Sequence, residues 1–258
     1  MKLPYQTDSG IGTRANFGVI VLETDETLEY EFRQIFSGDG IALYVSRIPM
    51  VAEVRPDTLA QMLQHIPGSA RLLPPALSLD AIGFGCTSAA TVIGPEKVAT
   101  AIHTVCGDAK TSNPLSAIIA AGQALGARKL GFVTPYVAEV SAQMRDRLQD
   151  AGFDIAAFGS FEEGRDPVVA RITPASILAG IEAVAAAAPS DAIVVSCTNL
   201  RCLDIIAEAE ARTGVPVITS NQALAWHMLQ LAGIEVTASK FGRLFGQSKE
   251  PKRFGVAS

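Results

Sequence analysis

Two cysteines occupy equivalent places in a passage that occurs twice. Asp80-Ala81-Ile82-Gly83-Phe84-Gly85-Cys86-Thr87 is matched later by Asp191-Ala192-Ile193-Val194-Val195-Ser196-Cys197-Thr198. Each copy is an acidic turn residue, an apolar run of strand length and a cysteine where the run ends. The likeness continues on both sides. Thr111-Ser112-Asn113 begins 25 residues after Cys86, and Thr219-Ser220-Asn221 begins 22 after Cys197. Gly18 opens an apolar run 68 residues before Cys86, and Gly131 opens one 66 before Cys197. Two halves of one chain are thus expected to present a thiol each from equivalent strand ends, on opposite sides of one substrate.

A free cysteine titrates near 8.5, and a helix N-terminus beside it lowers that value. The expectation is an acidified thiol that takes a proton or attacks an electrophilic carbon. Thr87, Ser88, Thr198 and Asn199, with the backbone N–H groups of the turns, offer donors for a substrate carboxylate and for an enolate. Cys106, in a helix that ends at Gly107, and Cys202, in the first helical turn after Cys197, read as small core residues.

The elements that must position these thiols alternate. Apolar runs at 17–22, 41–45, 81–85, 130–133, 154–158, 192–196 and 215–218 read as strands. Helical periods fall at 28–35, 57–72, 95–105, 114–125, 137–151, 174–187, 203–213 and 222–231. Pro95, Pro114 and Pro174 suit first turns, while Gly126, Gly152, Gly214 and Gly233 suit the left-handed residue past a helix. The pattern predicts an α/β chain of two pseudosymmetric Rossmann-like (flavodoxin-like) halves, each a roughly four-stranded parallel sheet flanked by helices. Residues 1–16 form an N-terminal arm and 17–113 the first half, with 220–258 packing back onto it. Residues 114–219 form the second half, and the site lies in the cleft, beyond the carboxyl ends of the strands.

Bulk properties exclude several classes. The 258 residues carry a formal charge of −5, with 18% charged and 48% hydrophobic residues, so there is no basic field for nucleic acid. The longest weakly charged stretch, 177–189, is interrupted by Glu182 and falls short of the roughly 20 residues of a membrane span. Residues 1–16 lack the apolar core of a secretory signal, and a cytoplasmic location with reduced thiols is expected. His65, His103 and His227 are scattered and no Cys/His cluster occurs, so neither a metal nor a cofactor is expected. Gly83-Phe84-Gly85 lacks the third glycine and helix start of a dinucleotide fingerprint. A homodimer or higher homo-oligomer is expected, and the tail from Ser239, with Lys240, Arg243, Lys249, Lys252 and Arg253, reads as a solvated or subunit-contacting extension.

Cys86-Thr87-Ser88 and Cys197-Thr198-Asn199 resemble the paired cysteine motifs of the aspartate/glutamate racemase superfamily, over residues 17–233. Within it the chain is similar to the maleate cis-trans isomerase and arylmalonate decarboxylase branch, with the racemase-like proteins of ectoine utilisation beside it. The resemblance implies a cofactor-independent isomerase or racemase of a small carboxylate or amino-acid derivative. Thr134-Pro135-Tyr136-Val137 resembles the segment bearing that branch's active-site tyrosine, which makes Tyr136 a donor to a substrate carboxylate.

Two departures bear on the substrate. Arylmalonate decarboxylases of this branch have glycine at the first cysteine position, whereas this chain keeps both thiols. Maleate isomerases have an Asn in the loop after the first strand, where this chain reads Glu23-Thr24-Asp25-Glu26-Thr27, and an Asp-Asn where it reads Asp166-Pro167. Asp25 would repel a second carboxylate by on the order of a few kcal/mol in a partly desolvated site, and would suit a cationic amine. It would equally cap the helix that starts near Thr27. Arg47 offers a carboxylate partner or a surface ion pair. Two alternatives stay open: a decarboxylase with Cys197 as proton donor, and a non-catalytic small-molecule-binding protein.

Overall fold

The computed structural model describes residues 1–51, 54–236 and 238–246. Two sheets of four parallel strands carry the fold. In the first the order is β2-β1-β3-β4, from β1 (Ala15–Leu22), β2 (Ile41–Ile48), β3 (Ala81–Gly85) and β4 (Thr111–Ser112). In the second it is β6-β5-β7-β8, from β5 (Lys129–Thr134), β6 (Asp154–Ser160), β7 (Ala192–Val195) and β8 (Val217–Thr219). The pseudosymmetric α/β architecture read from the repeat is therefore present. The inner strands β3 and β7 are buried at every residue, as parallel strands covered on both faces must be.

This topology decides where chemistry can sit. From β1 the chain turns to β2 on one side and to β3 on the other, and β5 stands likewise between β6 and β7. The crevice beyond the carboxyl ends of such a strand pair is the natural ligand position of an open parallel sheet. The segments that follow β1, β3, β5 and β7 hold Asp25, Cys86, Tyr136 and Cys197. All four come from switch-point strands.

The helix Ser220–Ala232, which follows β8, lies against β3 and against the helix Pro114–Ala124. Met228 on it reaches Gly83, where a Cβ would stand 2.7 Å from the sulfur. A capping box between Thr219 and Gln222 starts this helix, and Gly233 at φ 72° ends it.

Several elements differ from expectation. The helix expected over 57–72 is broken into Pro56–Gln61, a 3-10 turn Met62–His65 and Ile66–Ala70, because Pro67 supplies no N–H to continue it. A helix Thr87–Ile93 follows Cys86 directly; nearly all of it is buried, so it has no polar face to betray a helical period. Residues 239–246 are not a solvated extension. Phe241, Leu244 and Phe245 are buried, Gln222 Nε2 donates to the carbonyl of Phe241, and Arg243 N donates to Glu210. Lys249, Lys252 and Arg253 lie outside the described residues.

Gly85, last in β3, is needed for close approach. A Cβ there would lie 2.6 Å from Leu28 Cδ1 and 3.1 Å from the carbonyl oxygen of Ile20. Gly68, in contrast, faces open space. Gly85→Ala is expected to cost about 1–3 kcal/mol by overpacking, and Gly68→Ala to be neutral or stabilising by up to about 1 kcal/mol, as measured by urea unfolding.

Candidate active site

Cys86 is the N-cap of the helix Thr87–Ile93: its Sγ accepts from Ala89 N at 3.3 Å and lies 3.5 Å from Ser88 Oγ. Cys197 stands two residues past β7, and its Sγ accepts from Asn199 N at 3.4 Å. Both are almost wholly buried. Tyr136 lies close enough to Cys197 to oppose the rise of that thiol's pKa, and within electrostatic reach of Cys86 as well. The tyrosine is locked from behind, since Ser141 Oγ and Ser160 Oγ both donate to its carbonyl and its own N–H donates to Thr134 Oγ1.

The thiols are not acidified as expected. Burial pushes Cys86 up to about 12 and lifts Cys197 well above the ordinary thiol value. The hydrogen bonds from Ser88 and Ala89 oppose this at Cys86, and those from Tyr136 and Asn199 at Cys197, but the carboxylates of Asp166 and Asp25 add to it at both. In a dry cleft the loss of hydration outweighs the donors at the helix start.

Asp25 is buried, with Oδ1 accepting from Thr27 N at 2.8 Å and Leu28 N at 2.7 Å. It thus caps the start of the helix Leu28–Ile35, and its other oxygen, Oδ2, has no hydrogen-bond partner. Burial raises its pKa to about 6, against the two backbone N–H bonds and the Thr198 hydroxyl. Asp166, also raised by burial, accepts from Thr24 Oγ1 at 2.6 Å.

Other residues expected at the site make bonds that hold it together. Asn199 Oδ1 accepts from Glu26 N at 2.9 Å, and its Nδ2 donates to the carbonyl of Asp166. Thr87 Oγ1 pairs with Ser220 Oγ at 2.9 Å. Arg47 donates to the carbonyls of Leu22, Glu23 and Asp25 and pairs with Glu29, so it braces the loop after β1 from outside the cleft.

Glu31 was missed. Its Oε1 accepts from Cys202 N at 2.7 Å and Leu203 N at 2.8 Å, and its Oε2 from Asn221 Nδ2 at 2.8 Å. The same amide of Asn221 donates to the carbonyl of Thr198 at 2.8 Å. Glu31 therefore fixes the segment that carries Cys197. Its position with Leu28, Phe32 and Ile35 on the buried face of one helix was the available signal. Cys202 is a buried packing residue beside it, and Cys106 is half-buried. Among the described residues no group of three or more His, Cys, Asp or Glu is placed to hold a metal ion, and no helix is long and apolar enough to cross a membrane.

Comparison with known proteins bears on this geometry. The family profile for arylmalonate decarboxylase matches residues 50–245. The chain belongs to the arylmalonate decarboxylase family. Arylmalonate decarboxylase of Bordetella bronchiseptica is 33% identical over 135 residues, 52% of this chain and 56% of that protein. Maleate isomerase of Pseudomonas putida is 28% identical over 88% of this chain and 95% of its own length. Among solved structures, a Nocardia farcinica maleate cis-trans isomerase mutant with a covalently bound succinylcysteine intermediate superposes with a TM-score of 0.81 at 23% identity, covering 90% of this chain and 98% of the other. Unliganded arylmalonate decarboxylase gives 0.75 at 22%, covering 91% and 100%. The family thus spans proteins named for isomerisation and for decarboxylation on one fold.

Glu31 makes stability depend on pH. Burial raises its pKa to about 7, with three hydrogen bonds and the charge of Asp25 modifying the result. Between the unfolded value of 4.5 and about 7 the folded chain holds a proton that the unfolded chain has lost, so this contribution to stability falls as pH rises through that window. Glu31→Gln is expected to remove on the order of 3 kcal/mol of that pH dependence, seen as a flatter unfolding free energy between pH 4.5 and 7 in denaturant titrations.

Proposed function

We propose that this protein is a cofactor-independent isomerase or racemase of a small carboxylate, working with Cys86 and Cys197 from opposite sides of the reacting carbon. One observation carries the reading: two buried cysteines, each just beyond the inner strand of its sheet, both lie within electrostatic reach of one buried tyrosine. A decarboxylase that protonates an enolate from one face needs only one such thiol.

In the racemising form, one sulfur as thiolate removes the α-proton and becomes a thiol. The substrate becomes an enolate, and the opposite thiol gives its proton to the other face and is left as the thiolate. Electrons balance with no co-reactant, and the two sulfurs have exchanged states. In the cis-trans form, the Cys86 thiolate adds to the double bond, the resulting single bond rotates, and elimination returns the thiolate with Cys197 handling the proton. Amino-acid-derivative racemisation, the reading that the likeness to ectoine-utilisation proteins implies, uses the first form.

Tyr136 supplies the donor for the substrate carboxylate. Ser88 and the backbone N–H groups of Ala89 and Asn199 stabilise whichever sulfur is charged. The raised thiol values fit a site that makes its thiolate only when substrate fills it.

The second reading is decarboxylation of a malonate with Cys197 as the proton donor, favoured by the profile match over 50–245. Single substitutions separate the two. Cys86→Ser and Cys197→Ser are each expected to lower turnover by about 10³-fold, within the range for losing a positioned acid or base, and to abolish deuterium wash-in from D₂O at the α-carbon. Carbon dioxide release from a malonate that survives Cys86→Ser would select decarboxylation.

A further inference from the structure

Asp25 carries an unused oxygen. Asp25 is 2% exposed, Oδ1 is taken by two backbone N–H groups, and Oδ2 makes no hydrogen bond of good geometry, the Thr198 hydroxyl being the donor that acts on this carboxyl from nearby. A buried carboxylate oxygen left without a partner is costly, and folded chains fill such places with a hydrogen bond or a cation.

Among the described residues no side chain supplies that cation. The nearby guanidinium groups are committed elsewhere: Arg47 to the carbonyls of Leu22, Glu23 and Asp25 and to Glu29, Arg171 to Glu26 and the carbonyl of Pro167, and Arg165 to Glu163. Asp166 adds a second carboxylate, already bonded to Thr24. Burial raises the pKa of Asp25 to about 6 against the backbone N–H bonds to Oδ1, which leaves it below neutrality. This end of the cleft therefore gathers two carboxyl groups, with an acceptor oxygen that no cationic side chain among the described residues meets.

We propose that the substrate carries a cationic nitrogen, an ammonium on or near the reacting carbon, and that Asp25 Oδ2 receives it. This rests on the two-thiol reading and narrows it to amino acids or amino-acid derivatives that keep a free amine. A dicarboxylate without an amine would bring two more negative charges to a cleft that already holds two. A zwitterion brings its own counter-charge and leaves Tyr136 for its carboxylate. Burial is the main cause of the raised thiol values, and the same ammonium offsets the part that the two carboxylates add to it.

The test is a panel on the intact protein. Alpha-deuterium exchange would be followed by NMR for short α-amino and diamino acids, beside maleate and phenylmalonate as amine-free acids. Turnover of at least one amine-bearing acid is expected to exceed both amine-free acids by about 100-fold in kcat/KM. Asp25→Asn keeps the cap and removes the charge, and is expected to reverse that preference by a similar factor with an unchanged melting temperature. Faster turnover of maleate or phenylmalonate, exchange in no amine-bearing acid, or an Asp25→Asn preference equal to wild type would each overturn the proposal. Calorimetry on Cys86→Ser separates the two readings. Amine-dependent binding that survives there supports the role of Asp25 whatever the thiols do, while cysteine-dependent turnover confined to amine-free acids keeps the thiol reading and ends this one.

Discussion

The cleft keeps its shape because a few buried polar side chains tie the loops of one sheet to those of the other. Asn199 spends both ends of its amide on this, one on Glu26 N and one on the carbonyl of Asp166. Thr27 Oγ1 donates to the carbonyl of Asn199 at 3.0 Å. Glu31 holds the backbone of Cys202 and Leu203, and Asn221 joins Glu31 to Thr198. Each of these groups would cost roughly 1–3 kcal/mol if buried without its partner, so the loops after β1 and β7 can be dry only if they are in register with one another. The position of Cys197 relative to Cys86 follows from that register.

Dryness then sets the chemistry. Water excluded from the cleft raises both thiols, the tyrosine and the carboxylates together. Buried thiols with raised pKa values hold little thiolate, which shields them from oxidation and stray alkylation. The pseudosymmetry of the sheets accounts for the paired sulfurs. The departures from symmetry account for the rest: the loop after β1 brings Asp25 where the loop after β5 brings Tyr136, and Asp166 acts on Tyr136 and on both sulfurs.

Much of this was legible in the sequence. The repeated Asp-Ala-Ile to Cys-Thr passage gives the two sheets and both thiols, because a buried parallel strand is a short uninterrupted apolar run and its end is easily read. The helix Thr87–Ile93 was hidden, since burial on nearly every side removes the polar face that marks a helix. β4 was hidden as a strand because two residues, Thr111 and Ser112, are too few to make a pattern. The anchoring bonds of Asn199 and Thr87 are illegible for a different reason. A polar residue next to a reactive cysteine suits substrate contact and loop anchoring equally well, and only the partner, Glu26 or Ser220, far away in sequence, decides between them. Glu31 was overlooked because a single glutamate in a short amphipathic helix usually faces water. The acidity of the thiols was misjudged in sign, since sequence reveals the helix start that lowers a pKa but not the depth of burial that raises it.

The central claim is that the two sulfurs face one bound carboxylate from opposite sides. A crystal structure of the Cys197→Ser protein soaked with a turned-over substrate tests it most directly. The account predicts the reacting carbon between Cys86 Sγ and the introduced hydroxyl, within about 3–4 Å of each, with the carboxylate on Tyr136. A ligand seated elsewhere, or bound with both residues on the same face of its reacting carbon, would contradict it.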